Sequence, residues 1–205
     1  MEYYTLIIVI MGASLAYLLW DTYVVGDVEY VKSTVDGNEY QVRNLPDKQD
    51  ASDLLANIRI KLETFVKHIS KMYPDDPRTI NMIQNFHSDK LVEGKDDARY
   101  TSYSINKGEK IVFCLRSRGK GVQTLMDLNT MMFVALHEMS HICSVSIGHT
   151  DEFWNNFKFI LQEAIQIGIY KEQDFKSKPV EYCGMTITDS PLESSKTKVA
   201  IKESN

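Results

Sequence analysis

His137-Glu138-Met139-Ser140-His141, followed after six intervening residues by Gly148-His149-Thr150-Asp151-Glu152-Phe153-Trp154, is the stretch on which the reading of this chain turns. The first five residues have the form H-E-x-x-H. On a helix each residue advances by ~100°, so positions i and i+4 lie on one face about 40° apart. Two imidazoles so placed can ligate one Zn²⁺ at ~2.0–2.1 Å, and the Glu beside the first His can act on water at the metal. A catalytic zinc takes three protein ligands and keeps a fourth position open. His149 supplies the third if the chain turns back after the helix, and Gly148 permits that turn.

The competing reading is a chance pattern on an ordinary amphipathic helix. Context weighs against it. Leu125 to Leu136 is mostly apolar and helix-forming, as a buried ligand-bearing helix requires. Three of the five His fall within thirteen residues. Cys143 lies two residues past His141, where a helix turns it to a different side, so it is not expected to ligate.

A net charge of −5 leaves no global footprint of a dedicated nucleic-acid binder. The three cysteines, Cys114, Cys143 and Cys183, form no C-x-x-C pair. They read as reduced, buried thiols in a cytosol-facing domain.

Tyr3 to Trp20 is an uncharged run with aromatics at both ends. At 1.5 Å per residue it spans ~27 Å, close to a bilayer core of ~30 Å. A signal peptide lacks its basic n-region here, so an uncleaved N-terminal anchor is expected. Val28–Val35 and Glu39–Val42 flank Asp36-Gly37-Asn38 and predict a hairpin, either a spacer or an added edge of the main sheet. A long amphipathic helix is expected from Lys48 to Met72, and a second from Pro77 to about Phe86. His68 and His87 on these helices read as structural. Ser88 to Asp97 reads as a loop. Arg99–Ile105 and Lys110–Leu115 read as two strands around Asn106-Lys107-Gly108-Glu109. Either strand could present an edge to a substrate backbone.

Lys107, Lys110, Arg116, Arg118 and Lys120 form the local basic cluster, a solvated surface or a contact for DNA or an acidic tail. Gly119 and Gly121 give the loop before the H-E-x-x-H helix freedom to bend. Past that helix, Thr150 is the expected N-cap of the next one. Trp154 and Phe157 are expected in the core, fixing the turn that aims His149. Asp151 or Glu152 is a candidate acceptor for a ligating imidazole. Tyr182 is a candidate hydroxyl donor to a tetrahedral oxyanion, and Tyr170 a second. After Ser190 the composition is that of a disordered tail.

H-E-M-S-H followed by G-H-T-D-E-F-W resembles the active-site signature of WLM and SprT-like metalloproteases. Lys110–Arg116 and Pro179–Gly184 resemble the WLM branch carried by large DNA viruses. The resemblance covers roughly residues 45–192. It implies an α+β, zincin-like domain, helices packed on a small antiparallel sheet, behind the N-terminal transmembrane helix. It implies a zinc endopeptidase with His137, His141 and His149 as ligands and Glu138 as the catalytic residue. Cellular relatives act on proteins crosslinked to DNA, so a DNA-bound protein, or DNA itself met through Lys107, Lys110, Arg116 and Arg118, is an expected partner. Ser144 stands where a metzincin has its first Gly, so the metzincin pattern is absent.

The expected organisation is an anchor over residues 1–22, a hairpin or linker over 23–45, the protease domain over 46–189 and a tail over 190–205. The anchor at residues 3–20 would place the protein in a host-cell or virion membrane with its domain in the cytosol. The rival reading is a membrane-tethered zinc-binding or nucleic-acid adaptor without turnover.

Overall fold

The computed structural model describes residues 2–24, 27–95, 101–118 and 123–192. Lys120, both loop glycines at 119 and 121, Arg99 and Tyr100, and the tail from residue 193 lie outside the described residues.

Helix α1 spans Glu2–Val24. Its described side chains, Tyr3 to Tyr17, are all exposed. Among the described residues no helix is long and apolar enough to cross a membrane. Strands β1 (Val28–Lys32) and β2 (Glu39–Arg43) form the expected hairpin, paired from Val28 with Arg43 to Lys32 with Glu39. It is neither a free spacer nor an edge of the main sheet. It makes its own two-stranded sheet, and Tyr40 and Val42 bury their side chains in the common core. Ser33 and Thr34 close the join by donating hydroxyl hydrogen bonds to Asp53 on the following helix.

That helix, α2 (Lys48–Met72), buries Leu55, Ile58, Leu62, Phe65 and Ile69, one stripe at helical spacing. Helix α3 (Pro77–Asn85) starts at a proline with Asp76 as its cap, accepting the Arg78 amide at 2.9 Å. Helix α4 (Leu128–Cys143) is apolar nearly all round and is accordingly buried, packed against α2, α3 and α5 (Asp151–Gln166). Asp127 caps α4 by accepting the amides of Asn129 and Thr130 at 3.0 Å, and Thr150 caps α5 by accepting that of Phe153.

The main sheet corrects two expectations. Leu91–Glu93, read as loop, is strand β3: Leu91 and Val92 are too short an apolar run to signal a strand, but both are buried. The sheet has the order β3-β5-β4, with β4 Tyr103–Ile105 and β5 Lys110–Phe113. Strand β5 pairs antiparallel with β4 and parallel with β3, so the sheet is mixed, not antiparallel. A last hairpin, β6 (Val180–Tyr182) and β7 (Met185–Ile187), folds back on the body.

The cysteines are a third correction. Cys114, just past β5, and Cys183, in the turn between β6 and β7, are joined in a disulfide across 69 residues of sequence. Only Cys143 is free, and burial pushes its thiol up to about 12. The thiol count therefore no longer supports a reducing compartment.

Candidate metal centre

His137 and His141 project from one face of α4, one turn apart. The chain then leaves the helix at Ser144 and turns at Gly148, whose φ of +81° lies in the left-handed region that favours glycine. His149 follows, just before the cap of α5. The three Nε2 atoms converge: 3.2 Å from His137 to His141, 3.2 Å from His141 to His149, and 3.1 Å from His149 to His137. Among the described residues this is the one group of three His, Cys, Asp or Glu side chains placed to hold a metal ion.

The donor set fits zinc. Ligand atoms ~2.0–2.1 Å from a tetrahedral centre lie roughly 3.3 Å from each other, close to the triangle formed here. Three imidazole nitrogens aimed at one point cannot satisfy one another by hydrogen bonding, because each pair needs one donor and one acceptor. A cation at that point takes all three lone pairs. Burial, followed by the charges of the neighbouring imidazoles, holds His137 well below its ordinary value. Burial, His149 and Lys107 lower His141 to about 4. Both rings are therefore neutral at pH 7, the form that binds metal.

Aromatic rings set the imidazole planes. Phe153 stacks on His141 with centroids 4.3 Å apart, and Trp154 stacks on His149 at 5.5 Å. Phe157 and Phe153 meet the His137 ring edge-on. Trp154, partly buried, bears on His149 as expected, whereas Phe157 bears on His137. The His137 Nδ1 atom is buried among these rings without a hydrogen-bond partner.

Glu138 is buried one residue from the first imidazole, at 3% exposure. Tyr182 is buried too, and its hydroxyl lies 2.5 Å from that of Ser102. The Ser102 oxygen also accepts the Cys114 amide at 3.0 Å, so the tyrosine is held to the strand that leads into the disulfide. Burial pushes the Tyr182 phenol up; the Ser102 hydrogen bond opposes this and the charge of Glu138 adds to it. The phenol is thus a protonated donor within the field of Glu138. Tyr170, the other candidate, packs its ring against Phe133 in the core.

Other expected residues are used differently. Glu152 accepts the amides of Val145 and Ser146 at 2.8 and 2.9 Å, bracing the loop between α4 and α5. Hydrogen bonds from Ser146 and Val145 keep its carboxyl below the usual range. His68 meets Glu163 at 2.9 Å, within a structural contact between α2 and α5. His87 is exposed.

Two members of the basic cluster, Arg116 and Lys107, are engaged within the protein. Arg116 is 2% exposed, paired with Glu93 at 2.7 Å and with Asp47. Its expected role toward DNA is therefore corrected: a guanidinium enclosed with two carboxylates cannot reach a phosphate. Lys107 turns inward to backbone carbonyls after α4. The sequence carried no signal for either arrangement, because both depend on partners some 23 to 69 residues away.

Comparison with known proteins shows the family. A model of the WLM domain matches residues 36–205. An uncharacterized protein of Acanthamoeba polyphaga mimivirus is 35% identical over 170 residues, covering 81% of this chain and 85% of that one. An uncharacterized protein of Invertebrate iridescent virus 6 is 37% identical over 71 residues, 35% of this chain and 39% of its own. The crystal structure of Wss1 from Saccharomyces cerevisiae matches with a TM-score of 0.45 and 23% identity, over 62% of this chain and 86% of that one. With the family model spanning most of its length, the chain belongs to the WLM family of zinc metalloproteases.

Proposed function

We propose that this chain is a zinc-dependent endopeptidase. His137, His141 and His149 hold the metal and Glu138 handles the proton. The observation that carries the reading is the convergence of three imidazole nitrogens, 3.1–3.2 Å apart, beside a buried carboxylate. Zinc in such a site supplies Lewis acidity, polarising a carbonyl and lowering the pKa of water toward ~7. Glu138, adjacent to the first ligand, takes the proton from the attacking water and returns it to the leaving amine. Tyr182 donates to the oxyanion that develops on the scissile carbonyl. Strand β4, last in the order of its sheet and packed against α4, is the strand we assign to a substrate backbone. The substrates are proteins, among them proteins bound to DNA, as the family resemblance implies.

The test is Glu138→Gln in the full chain. It should retain about one zinc and lose cleavage of an unfolded protein substrate. Cleavage at the unsubstituted rate would remove Glu138 from the mechanism; a folded chain without zinc would remove the enzyme reading.

We further propose that α1 is held in a membrane, although among the described residues no helix is long and apolar enough to cross one. It rests on the uncharged run Tyr3 to Trp20 and on the exposure of every described side chain from Tyr3 to Tyr17. Burying such a surface in hydrocarbon removes it from water. The protein should resist extraction by alkaline carbonate, and release into the supernatant would sink the anchor. Protease protection then assigns the side of the membrane on which the domain lies.

A further inference from the structure

The loop that carries the chain from the end of α4, at Ser144, to His149 has almost no apolar hold on the protein. Val145 and Ile147, its two large apolar side chains, are 73% and 88% exposed. Burial, the usual means of fixing a segment, does not fix this one. Yet His149 must be placed within a few tenths of an ångström for its nitrogen to share a metal with two helical residues.

Polar contacts fill the gap. From one side, the Lys107 ammonium donates to three consecutive carbonyls: Ser144 at 2.8 Å, Val145, and Ser146 at 3.5 Å. From the other side, the Glu152 carboxylate accepts the Val145 amide on one oxygen and the Ser146 amide on the other. The cation stands at the C-terminal end of α4 and the anion in the first turn of α5, where each helix dipole favours it. The Ser146 hydroxyl meets that of Thr150, the residue after His149, at 2.6 Å.

The turn that delivers Lys107 is itself constrained. Asn106 and Lys107 have φ of +45° and +55°, uncommon for residues with a side chain. Gly108 follows at +117°, where a Cβ would stand 2.3 Å from the Asn85 carbonyl oxygen. The surrounding structure thus forces a lysine into a strained conformation and seats its turn directly on α3.

We infer that Lys107 and Glu152 are positioning residues for the third metal ligand: a charge clamp that grips the Ser144–Ser146 backbone from both sides and sets where His149 enters the site. The inference rests on the three-histidine metal site proposed above. It assigns Lys107 a role toward the metal in place of the contact with DNA expected from its sequence. Outer groups that hold metal ligands typically contribute ~10–100-fold in metal affinity, and the clamp belongs to that range.

The experiment is zinc affinity of the full chain by competition with a chromogenic chelator, together with amide hydrogen exchange over residues 145–149. Lys107→Met should weaken zinc binding by ~10–100-fold and speed exchange in that loop. Removing the ammonium also removes a repulsion of the dication, so a net loss of affinity is diagnostic of positioning. Lys107→Arg, which keeps the charge and its donors, should restore most of the affinity. Glu152→Gln places an amide NH₂ where a carboxylate oxygen accepted an N–H, and should weaken zinc binding on its own. The double variant should lose less than the product of the single losses, because both residues hold the same backbone. Should Lys107→Met fail to fold, Glu152→Gln and Lys107→Arg decide. Unchanged or tighter zinc binding in folded Lys107→Met and Glu152→Gln overturns the clamp while leaving the metal site standing. Absence of zinc from the unsubstituted chain overturns the metal site itself.

Discussion

The Nε2 atoms of His141 and His149 lie 3.2 Å apart although one residue lies in the last turn of a helix and the other precedes the next helix. The relationship spans a loop whose apolar side chains face solvent. His149→Ala should therefore leave the fold intact and lower zinc affinity by far more than any substitution outside the centre. Zinc bound only to the native state stabilises it by ~2.7 kcal/mol at a hundredfold excess over Kd and ~4.1 kcal/mol at a thousandfold. A chelator should lower the melting temperature of the unsubstituted protein and barely move that of His149→Ala. An equal chelator effect on both proteins would show that zinc is held elsewhere.

The depressed imidazoles give the metal-free protein a pH dependence of definite sign. His141 titrates at about 4 when folded and near 6.5 when unfolded, and His137 is depressed in the same direction. Between these values the unfolded chain binds more protons than the native one, so stability rises with pH across this window. Denaturation of the zinc-free protein should show a loss of stability as pH falls from about 6.5 toward 4, absent when His137 and His141 are both replaced by Gln. A flat profile over that window would mean that the rings are not buried together.

Much of this centre was legible in the sequence because it is local. H-E-x-x-H sets its own geometry through the helical repeat, and Gly148 and Thr150 announce the turn and the cap by residue type. Helix α2, from Lys48 to Met72, was legible for the same reason, as twenty-five residues of sustained apolar spacing. What escaped depends on pairing at a distance. Strand β3 is three residues long and takes its identity from β5, about twenty residues on. The pairing of Cys114 with Cys183 has no spacing rule. Lys107 and Arg116 look like free surface cations in any window of sequence, and their partners appear only once Ser144, Val145, Glu93 and Asp47 are brought to them.

The disulfide is directly countable. Alkylation of the protein unfolded without reductant should label one cysteine, Cys143, and three after reduction. Cross-links closing loops of this size contribute about 2–4 kcal/mol. Cys183→Ser should thus lower unfolding stability in that range. It should also loosen Tyr182, the preceding residue, reducing turnover more than zinc content. Three labelled thiols before reduction would return the chain to the reduced state expected from its cysteine spacing.

Arg116 offers the clearest contrast between an internal and a surface cation. Its side chain and that of Glu93 are 2% and 1% exposed and 2.7 Å apart, with Asp47 as second partner. Removing one member of a buried pair leaves the other charged and unpaired, at a cost of about 3–5 kcal/mol. Arg116→Met should accordingly unfold at markedly lower denaturant, and Glu93→Gln should suffer less, because a neutral amide can still accept from the guanidinium. A surface contact for DNA predicts the opposite pattern: Arg116→Met as stable as the unsubstituted protein, with salt-dependent DNA binding reduced. Denaturant midpoints of the two variants, set beside their retention on DNA at two salt concentrations, separate the two patterns. A midpoint for Arg116→Met equal to that of the unsubstituted chain would place the guanidinium in solvent and restore it to the list of candidate phosphate contacts.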